Sequence, residues 1–167
     1  MAIYLIHNGP FPTTAAPAVA ATGTAIETLL QVKGVTGVQF KVIEYGVSFD
    51  GSAAATPITV ELIETGTVFA TVTASVAADI VKWGDPNAPT STVYFSVGTT
   101  ATGYNASAEG TITASRLFDF QLVSPTNQYV KQFPLGREPK VNADSALRIR
   151  TTSGASVGAY AYIIAEV

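Results

Sequence analysis

Apolar and polar side chains alternate along much of this chain, and this alternation constrains its fold more than any other feature. Ile58, Val60 and Leu62 fall on one face of their segment, whereas Thr59 and Glu61 fall on the other. A period of two places successive side chains on opposite faces of a β-strand, whereas an amphipathic helix needs a period of 3.6. The pattern therefore predicts strands as the main secondary structure.

Turn residues interrupt these segments at short intervals, because the chain contains 14 glycines and 9 prolines. Short strands with little helical periodicity indicate a sandwich or a barrel. We predict an all-β fold, an antiparallel β-sandwich of jelly-roll type, with strand above about 35% and helix below about 12%. The predicted strands are Thr24–Lys33, Gln39–Phe49, Pro57–Thr65, Thr67–Ser75, Thr92–Val97, Gly110–Ala114, Asp119–Ser124, Tyr129–Phe133, Ala146–Thr152 and Ala159–Ala165.

Three connecting segments carry predictions of their own. Gly66 can adopt a positive φ, so we predict a hairpin between the strands on either side of it. Ala74–Lys82 is the best candidate for a helix, of two turns at most. The small residues of Val97–Gly110 predict a long loop.

The first 23 residues differ in composition from the remainder. After a short apolar run they are rich in proline, alanine and glycine, and proline prevents a central strand from continuing through them. We predict an N-terminal extended arm, or a short first strand plus a loop, over residues 1–23, and one β-sandwich domain over 24–167. As an arm, the segment adds a strand to a neighbouring subunit's sheet. Its predicted partner-binding residues are Ile3, Tyr4, Leu5 and Ile6.

The composition excludes many kinds of catalytic and metal site. The 167 residues include no cysteine and one histidine, His7, which excludes disulfides, thiolate chemistry and sites with two imidazoles. Ser156 lies in a G-x-S-x-G string, but a strand pattern follows it and no histidine comes later. Asp50 and Asp85 belong to turns that lack the spacing of a calcium loop. We predict no enzyme activity, and no catalytic residue, metal or cofactor.

The overall charge and hydropathy restrict the partners. The net charge is −3 and the isoelectric point is near 5.0, which argues against a nucleic-acid-binding face. No apolar run approaches the ~18 residues that span a membrane. The N-terminus has no cationic targeting region, so we expect synthesis in a cytoplasm, with neither nucleic acid nor membrane as a partner.

The basic residues are concentrated near the C-terminal end. Residues 1–115 carry a net charge of −5, whereas residues 116–150 carry +3. Arg148 and Arg150 flank Ile149 and therefore point to one face of their strand. We predict that the basic residues of this region form a cationic strip for a partner's carboxylates, the alternative being ordinary outward charges on an edge strand. The predicted strip consists of Lys131, Arg137, Lys140, Arg148 and Arg150.

Aromatic residues support a second functional interpretation. Tyr160 and Tyr162 alternate with alanine, so their rings share a face, and Trp83 lies beside a Gly-Asp-Pro turn. Such rings can form a platform for a sugar, although a packed sheet or a subunit interface is more common. A carbohydrate- or receptor-binding module of the phage-tail or adhesin type is therefore the alternative function.

A set of turn-and-strand segments carries a family resemblance. These segments are residues 42–55, 60–66, 85–89, 104–110, 131–138 and 147–167. Over about residues 25–167 the chain resembles capsid decoration (cement) proteins, small virion proteins of tailed phages that infect actinobacteria. The segments contain no catalytic signature, so they indicate a family rather than a mechanism.

The resemblance implies a structural function on the virion. Decoration proteins of this kind sit on the capsid exterior and clamp neighbouring major capsid subunits, commonly as trimers at three-fold positions. The implied partners are the major capsid protein and the chain itself, as a homotrimer. The implied location is the outside of the capsid, after synthesis in the host cytoplasm. No catalytic or ligand-binding residue is implied.

Overall fold

The structure, a computed structural model, describes residues 1–11, 14–52 and 54–167. Strand makes up 49% and helix 4%, and the strands pair antiparallel in two packed sheets. The predicted all-β antiparallel sandwich is therefore confirmed, whereas its jelly-roll connectivity is not. Pro12 and Thr13 of the predicted arm, and Ala53 of the predicted sandwich domain, lie outside the described residues.

The first sheet contains seven strands. They are β1 (Ile3–His7), β2 (Ala20–Ala21), β4 (Phe40–Phe49), β7 (Ile80–Lys82), β10 (Gln128–Gln132), β11 (Lys140–Val141) and β13 (Gly158–Glu166). The order across the sheet is β10-β4-β13-β1-β7, with β11 also beside β4 and β2 also beside β13. The long strands β4 and β13 form its centre together with β1.

The second sheet contains six strands. They are β3 (Ile26–Lys33), β5 (Ile58–Glu64), β6 (Thr71–Ala74), β8 (Gly103–Ala108), β9 (Arg116–Val123) and β12 (Ala146–Thr152). The order is β6-β8-β3-β12-β5-β9, so β6 and β9 are the edge strands. Two 3-10 turns, Ala77–Asp79 and Ser91–Val93, are the helical segments of the described chain, and neither is long and apolar enough to span a membrane.

The hydrophobic core lies between the two sheets. Leu30, Leu62 and Ile149 occupy one register row of the second sheet and are fully buried, as expected for side chains on the same face. From the first sheet, Tyr4 reaches the ring of Phe95, with the two centroids 5.6 Å apart. Burial of these apolar side chains is the main force that holds the sheets together.

The strand predictions are confirmed where alternation is regular and wrong where it is weak. The bounds of β12 match the prediction residue for residue. The hairpin around Gly66 is wrong, because β5 pairs with β12 and β9 whereas β6 pairs with β8 at the other edge. Gly66 does adopt a positive φ of 57°. A turn is therefore present at Gly66, but the following segment crosses the second sheet to its other edge and does not form a hairpin.

Four further segment predictions are wrong. Ala74–Lys82 is not a helix, since it contains one 3-10 turn followed by β7. Thr92–Val97 and Gly110–Ala114 are not strands, whereas β8 lies inside the predicted loop Val97–Gly110. A Cβ at Gly103 would overlap the carbonyl of Thr73 on β6, so β8 needs glycine at this position to approach its partner.

Candidate interaction surfaces

The apolar run at the N-terminus is an internal strand of its own domain. β1 lies between β13 and β7, and an extended arm is not confirmed. Tyr4 and Ile6 are fully buried, so their predicted role in partner binding is wrong. The Tyr4 hydroxyl donates a hydrogen bond to the Pro89 carbonyl at 2.7 Å. Ile3 and Leu5, on the opposite face, are half-buried.

The five predicted strip residues do not form one surface. Lys131 and Lys140 belong to the first sheet, and Arg137 lies in the connection between β10 and β11. Arg148 and Arg150 belong to the second sheet, and Arg148 is fully buried. The continuous cationic strip is therefore wrong. Alternation placed Arg148 and Arg150 correctly on one side of β12, but it could not show that loops cover one of them.

Arg148 is enclosed by backbone and by a carboxylate. Its Nη1 donates to the carbonyl of Glu109 at 2.9 Å and to Glu109 Oε2 at 3.2 Å, and its Nη2 donates to the Val68 carbonyl at 2.5 Å. Thr28 completes the cluster, because its hydroxyl donates to Glu109 Oε2 at 2.6 Å. Burial lowers the pKa of Arg148, and the charge of Glu109 opposes this effect. The cluster fixes two loops on the outer face of the second sheet.

Gln31 joins the same loops from the neighbouring strand. It is the register partner of Arg148, and both side chains therefore lie on the outer face. Its Nε2 donates to the Ala101 carbonyl at 2.7 Å, while its Oε1 accepts from the Ala70 amide at 2.8 Å. Together Gln31 and Arg148 hold a loop roof, defined as Val68–Ala70, Ala101 and Glu109, over this face.

Arg150 and Lys131 are engaged in ion pairs within the chain. Arg150 Nη2 lies 2.6 Å from Glu61 Oε2, and Lys131 Nζ lies 2.9 Å from Asp119 Oδ1. Asp119 Oδ2 also accepts hydrogen bonds from the hydroxyls of Tyr45, at 2.7 Å, and Tyr129, at 2.9 Å. Burial raises the pKa of Asp119, but the hydrogen bonds to its carboxylate outweigh this effect and the net pKa lies below the ordinary value.

The Asp119 cluster links the two sheets at their edges. Asp119 belongs to β9, whereas Tyr45, Tyr129 and Lys131 belong to β4 and β10. Burial and the neighbouring carboxylate raise the pKa of Tyr129 to about 12. Gln121 Nε2 also donates to Asp119 Oδ1 at 3.4 Å, so four side-chain donors surround this carboxylate and it acts as a structural tie.

Two residues considered for catalysis are not placed for it. Ser156 lies in the exposed turn between β12 and β13, not at a strand-to-helix turn. His7 is buried beneath Phe11 and Tyr160, with ring centroids 4.8 and 5.8 Å away, and its Nε2 has no hydrogen-bond partner among the described residues. Burial lowers the pKa of His7, whereas the charge of Asp79 raises it. Among the described residues no three acidic or histidine side chains form a metal-sized cluster.

The edge strand β9 exposes three large apolar side chains. Leu117, Phe120 and Leu122 are 54%, 46% and 66% exposed. Within the described part of the chain β9 pairs with β5 alone. It is eight residues long, whereas the opposite edge strand β6 has four. We call this strand the docking edge. The sequence carried a signal for it, because residues 117–123 have apolar side chains on both faces instead of one.

The outer face of the first sheet carries an aromatic cavity of about 200 Å³. Tyr162 lies flat across Gly46 on the neighbouring strand, and a Cβ at Gly46 would come within 2.5 Å of its ring. The Tyr162 hydroxyl donates to Glu44 Oε1 at 2.6 Å, and Trp83 is 57% exposed at the rim. The cavity is lined by Leu5, Glu44, Trp83, Tyr160, Tyr162 and Ile164.

A comparison of the chain with protein-family models, with curated proteins and with solved structures found no match. Function must therefore be argued from two surfaces, the docking edge and the aromatic cavity. They lie on different sheets, which allows each to be altered without touching the other.

Proposed function

We propose that this protein is a structural virion component that decorates the outside of a tailed-phage capsid. In this function it stabilises the head by binding neighbouring major capsid subunits, as the sequence resemblance implies. The observation that carries the proposal is the docking edge. An edge strand of eight residues with three exposed apolar side chains is suited to pair with another chain, whereas soluble proteins usually keep such edges short or charged.

Several buried polar side chains favour a mechanical role over a catalytic one. The buried side chains of Asp119, Arg148 and Gln31 are used for contacts within the fold. Each of these side chains joins strands or loops that are distant in sequence, which favours a rigid fold. A decoration protein needs such stiffness, because it must transmit force between the capsid subunits that it joins. We therefore propose no enzyme activity.

We further propose a homotrimer at three-fold positions of the capsid, with the major capsid protein as partner. Arg137 and Lys140 are exposed and can steer the approach to an acidic capsid surface, contributing more to the association rate than to affinity. Light scattering tests the self-association: the mass of a trimer supports it. A mass that stays at that of one chain over the whole concentration range contradicts it.

The test of the function is binding to undecorated heads assembled from major capsid protein. We expect saturable binding by the natural chain, and an affinity at least about tenfold lower for the double variant Phe120→Lys, Leu122→Lys, because charge blocks edge pairing. The matched control is Val76→Lys, Val93→Lys, which places the same charges at two other exposed apolar positions. The control should bind like the natural chain.

Two results would count against the proposal. Failure of the natural chain to bind heads overturns the decoration function. Equal binding by the docking-edge variant and the control removes β9 from the mechanism. Deletion of residues 1–12 is not a usable alternative test, since it removes β1 from the middle of the first sheet and so confounds docking with folding.

A further inference from the structure

The aromatic cavity has the composition of a small-ligand site. It combines three aromatic side chains, the two aliphatic side chains Leu5 and Ile164, and one carboxylate. Small-molecule sites are concave and mostly apolar, with few polar groups that fix orientation. The cavity lies on the first sheet, whereas the docking edge belongs to the second, so the cavity can be altered without changing β9.

The strand register explains why these side chains converge. Ile164 of β13 is the partner of both Leu5 and Glu44, so these three side chains form one row across the outer face. Tyr162, two residues before Ile164, occupies the next row, where its register partner on β4 is Gly46. Glycine at this position leaves an open place on the sheet, and the Tyr162 ring fills it.

Tyr162 is therefore fixed as a flat surface. The glycine below it sets its depth, and the hydrogen bond from its hydroxyl to Glu44 sets its direction. The Tyr160 ring lies beside it, with the two centroids 6.1 Å apart and the ring planes inclined by 36°. Preorganised rings bind a ligand without the entropy cost of ordering flexible side chains.

The polar groups of the cavity complete the recognition chemistry. Glu44 Oε1 is engaged by Tyr162, whereas Oε2 accepts no hydrogen bond from the described part of the chain. An accessible carboxylate oxygen beside an aromatic surface can accept hydrogen bonds from ligand hydroxyls. Glu44 also forms no ion pair with the described basic side chains, so its charge is available to a ligand.

We infer that this cavity binds a pyranose sugar whose hydroxyl groups are equatorial. The axial C–H groups of such a ring form an apolar face that stacks on Tyr162, while its edge hydroxyls reach Glu44 Oε2. Trp83, exposed at the rim, covers the other face of the ring. A cavity of about 200 Å³ accommodates one sugar unit, so a dissociation constant in the millimolar range is expected.

The single tryptophan of the chain makes this inference directly measurable. Because Trp83 is the one tryptophan in the sequence, intrinsic fluorescence reports on the cavity. Titration with cellobiose should change the Trp83 emission to saturation, whereas sorbitol, which has hydroxyls but no ring, should not. Choline chloride tests whether the rings instead hold a cation, the other ligand class that aromatic side chains favour.

Variants separate the stacking contribution from the hydrogen bonds. Tyr162→Ala should weaken cellobiose binding by about tenfold or more, since one aromatic contact is removed. Tyr162→Phe keeps the ring and should bind more strongly than Tyr162→Ala. Glu44→Gln should weaken binding about threefold to tenfold through loss of a charged acceptor. Thermal unfolding of each variant checks that it is folded.

The binding measurements have distinct outcomes that support or overturn the sugar site. Saturable cellobiose binding that is lost in Tyr162→Ala and weakened in Glu44→Gln supports the sugar site. No response to cellobiose, a response that is equal in all three variants, or a response to choline alone overturns it. None of these results affects head binding, so the two proposals can fail separately.

Discussion

The outer faces of the two sheets show how similar strand patterns can lead to opposite surroundings. On the second sheet, Arg148 and Gln31 point outward from their strands, but the loop roof covers both. On the first sheet, the corresponding outward rows carry Tyr162 and Glu44 and remain open to form the aromatic cavity. The charged side chain of Arg148 is thus buried although it points outward, whereas the aromatic side chains of the first sheet are accessible.

The difference shows that exposure of an outward side chain is decided by the loops and not by the strand. The segment between β5 and β6 crosses the second sheet because its two strands lie at distant positions. Loop carbonyls need donors once they leave water, and Arg148 supplies them.

The largest effect is expected for loss of Arg148. Arg148→Met should reduce the free energy of unfolding by about 3 kcal/mol or more, because the carbonyls of the roof and Glu109 lose a buried charged donor. The matched control is Arg150→Met on the same strand, which breaks the more accessible pair with Glu61 and should cost about 1 kcal/mol. Urea unfolding measures both. Equal losses would show that the roof does not seal the second sheet.

A smaller effect is expected for Gln31. Gln31→Leu leaves the amide of Ala70 and the carbonyl of Ala101 without their partner, which should cost about 1–3 kcal/mol. Gln128→Leu, at an exposed position of β10, is the control and should change stability by less than about 0.5 kcal/mol. Hydrogen exchange at the Ala70 amide gives a local measure, and unchanged protection would contradict the proposed tie.

On the first sheet, Gly46→Ala tests the flat placement of Tyr162. The added Cβ overlaps the ring and should cost about 1–2 kcal/mol, because the ring must move. In a Tyr162→Ala background the same substitution meets no ring and should be close to neutral. A double-mutant cycle therefore isolates the contact. If the cost of Gly46→Ala is the same in both backgrounds, the ring is not held on the glycine.

The smallest effect concerns pH and His7, which is also an outward side chain of the first sheet but is covered by Phe11. Burial lowers the pKa of His7 in the folded chain. Below about pH 6.5, the ordinary pKa of histidine, the unfolded chain therefore binds more protons than the folded chain. Stability should therefore fall as the pH is lowered through about 6.5. His7→Gln should remove this part of the pH dependence. A natural chain with the same pH profile as the variant would contradict the assignment.

Regular strands were predictable from the sequence because their signal is local. β12 was predicted residue for residue, and the two-sheet sandwich followed from many such segments. β7 and β8 were missed because they form strands only through pairing with their neighbours. β7 has only three residues, which is too short for a pattern, and β8 begins with a glycine that fits against β6. Alternation also cannot tell which strands are neighbours, so the hairpin across Gly66 was wrong.

The candidate surfaces were predictable only in part. The shared face of Tyr160 and Tyr162 followed from their spacing, whereas the contribution of Glu44 depends on the pairing of β4 with β13. The exposure of the basic residues was predicted from their charge, and for Arg148 this prediction was wrong. Arg148 shows that a buried cation leaves no mark in the sequence when its partners are loop carbonyls and a carboxylate far along the chain.

The position of β1 has a consequence for how the chain folds. β1 is made early, yet its main partner β13 is separated from it by about 150 residues, with Ile3 opposite Glu166. Closing so long a loop has a high entropic cost, and proteins dominated by such distant pairings fold in milliseconds to seconds rather than microseconds. β7, the other partner of β1, is only three residues long, so until β13 has been synthesised one side of the β1 backbone is open to other chains. During synthesis, β1 therefore needs protection from aggregation until β13 has been made.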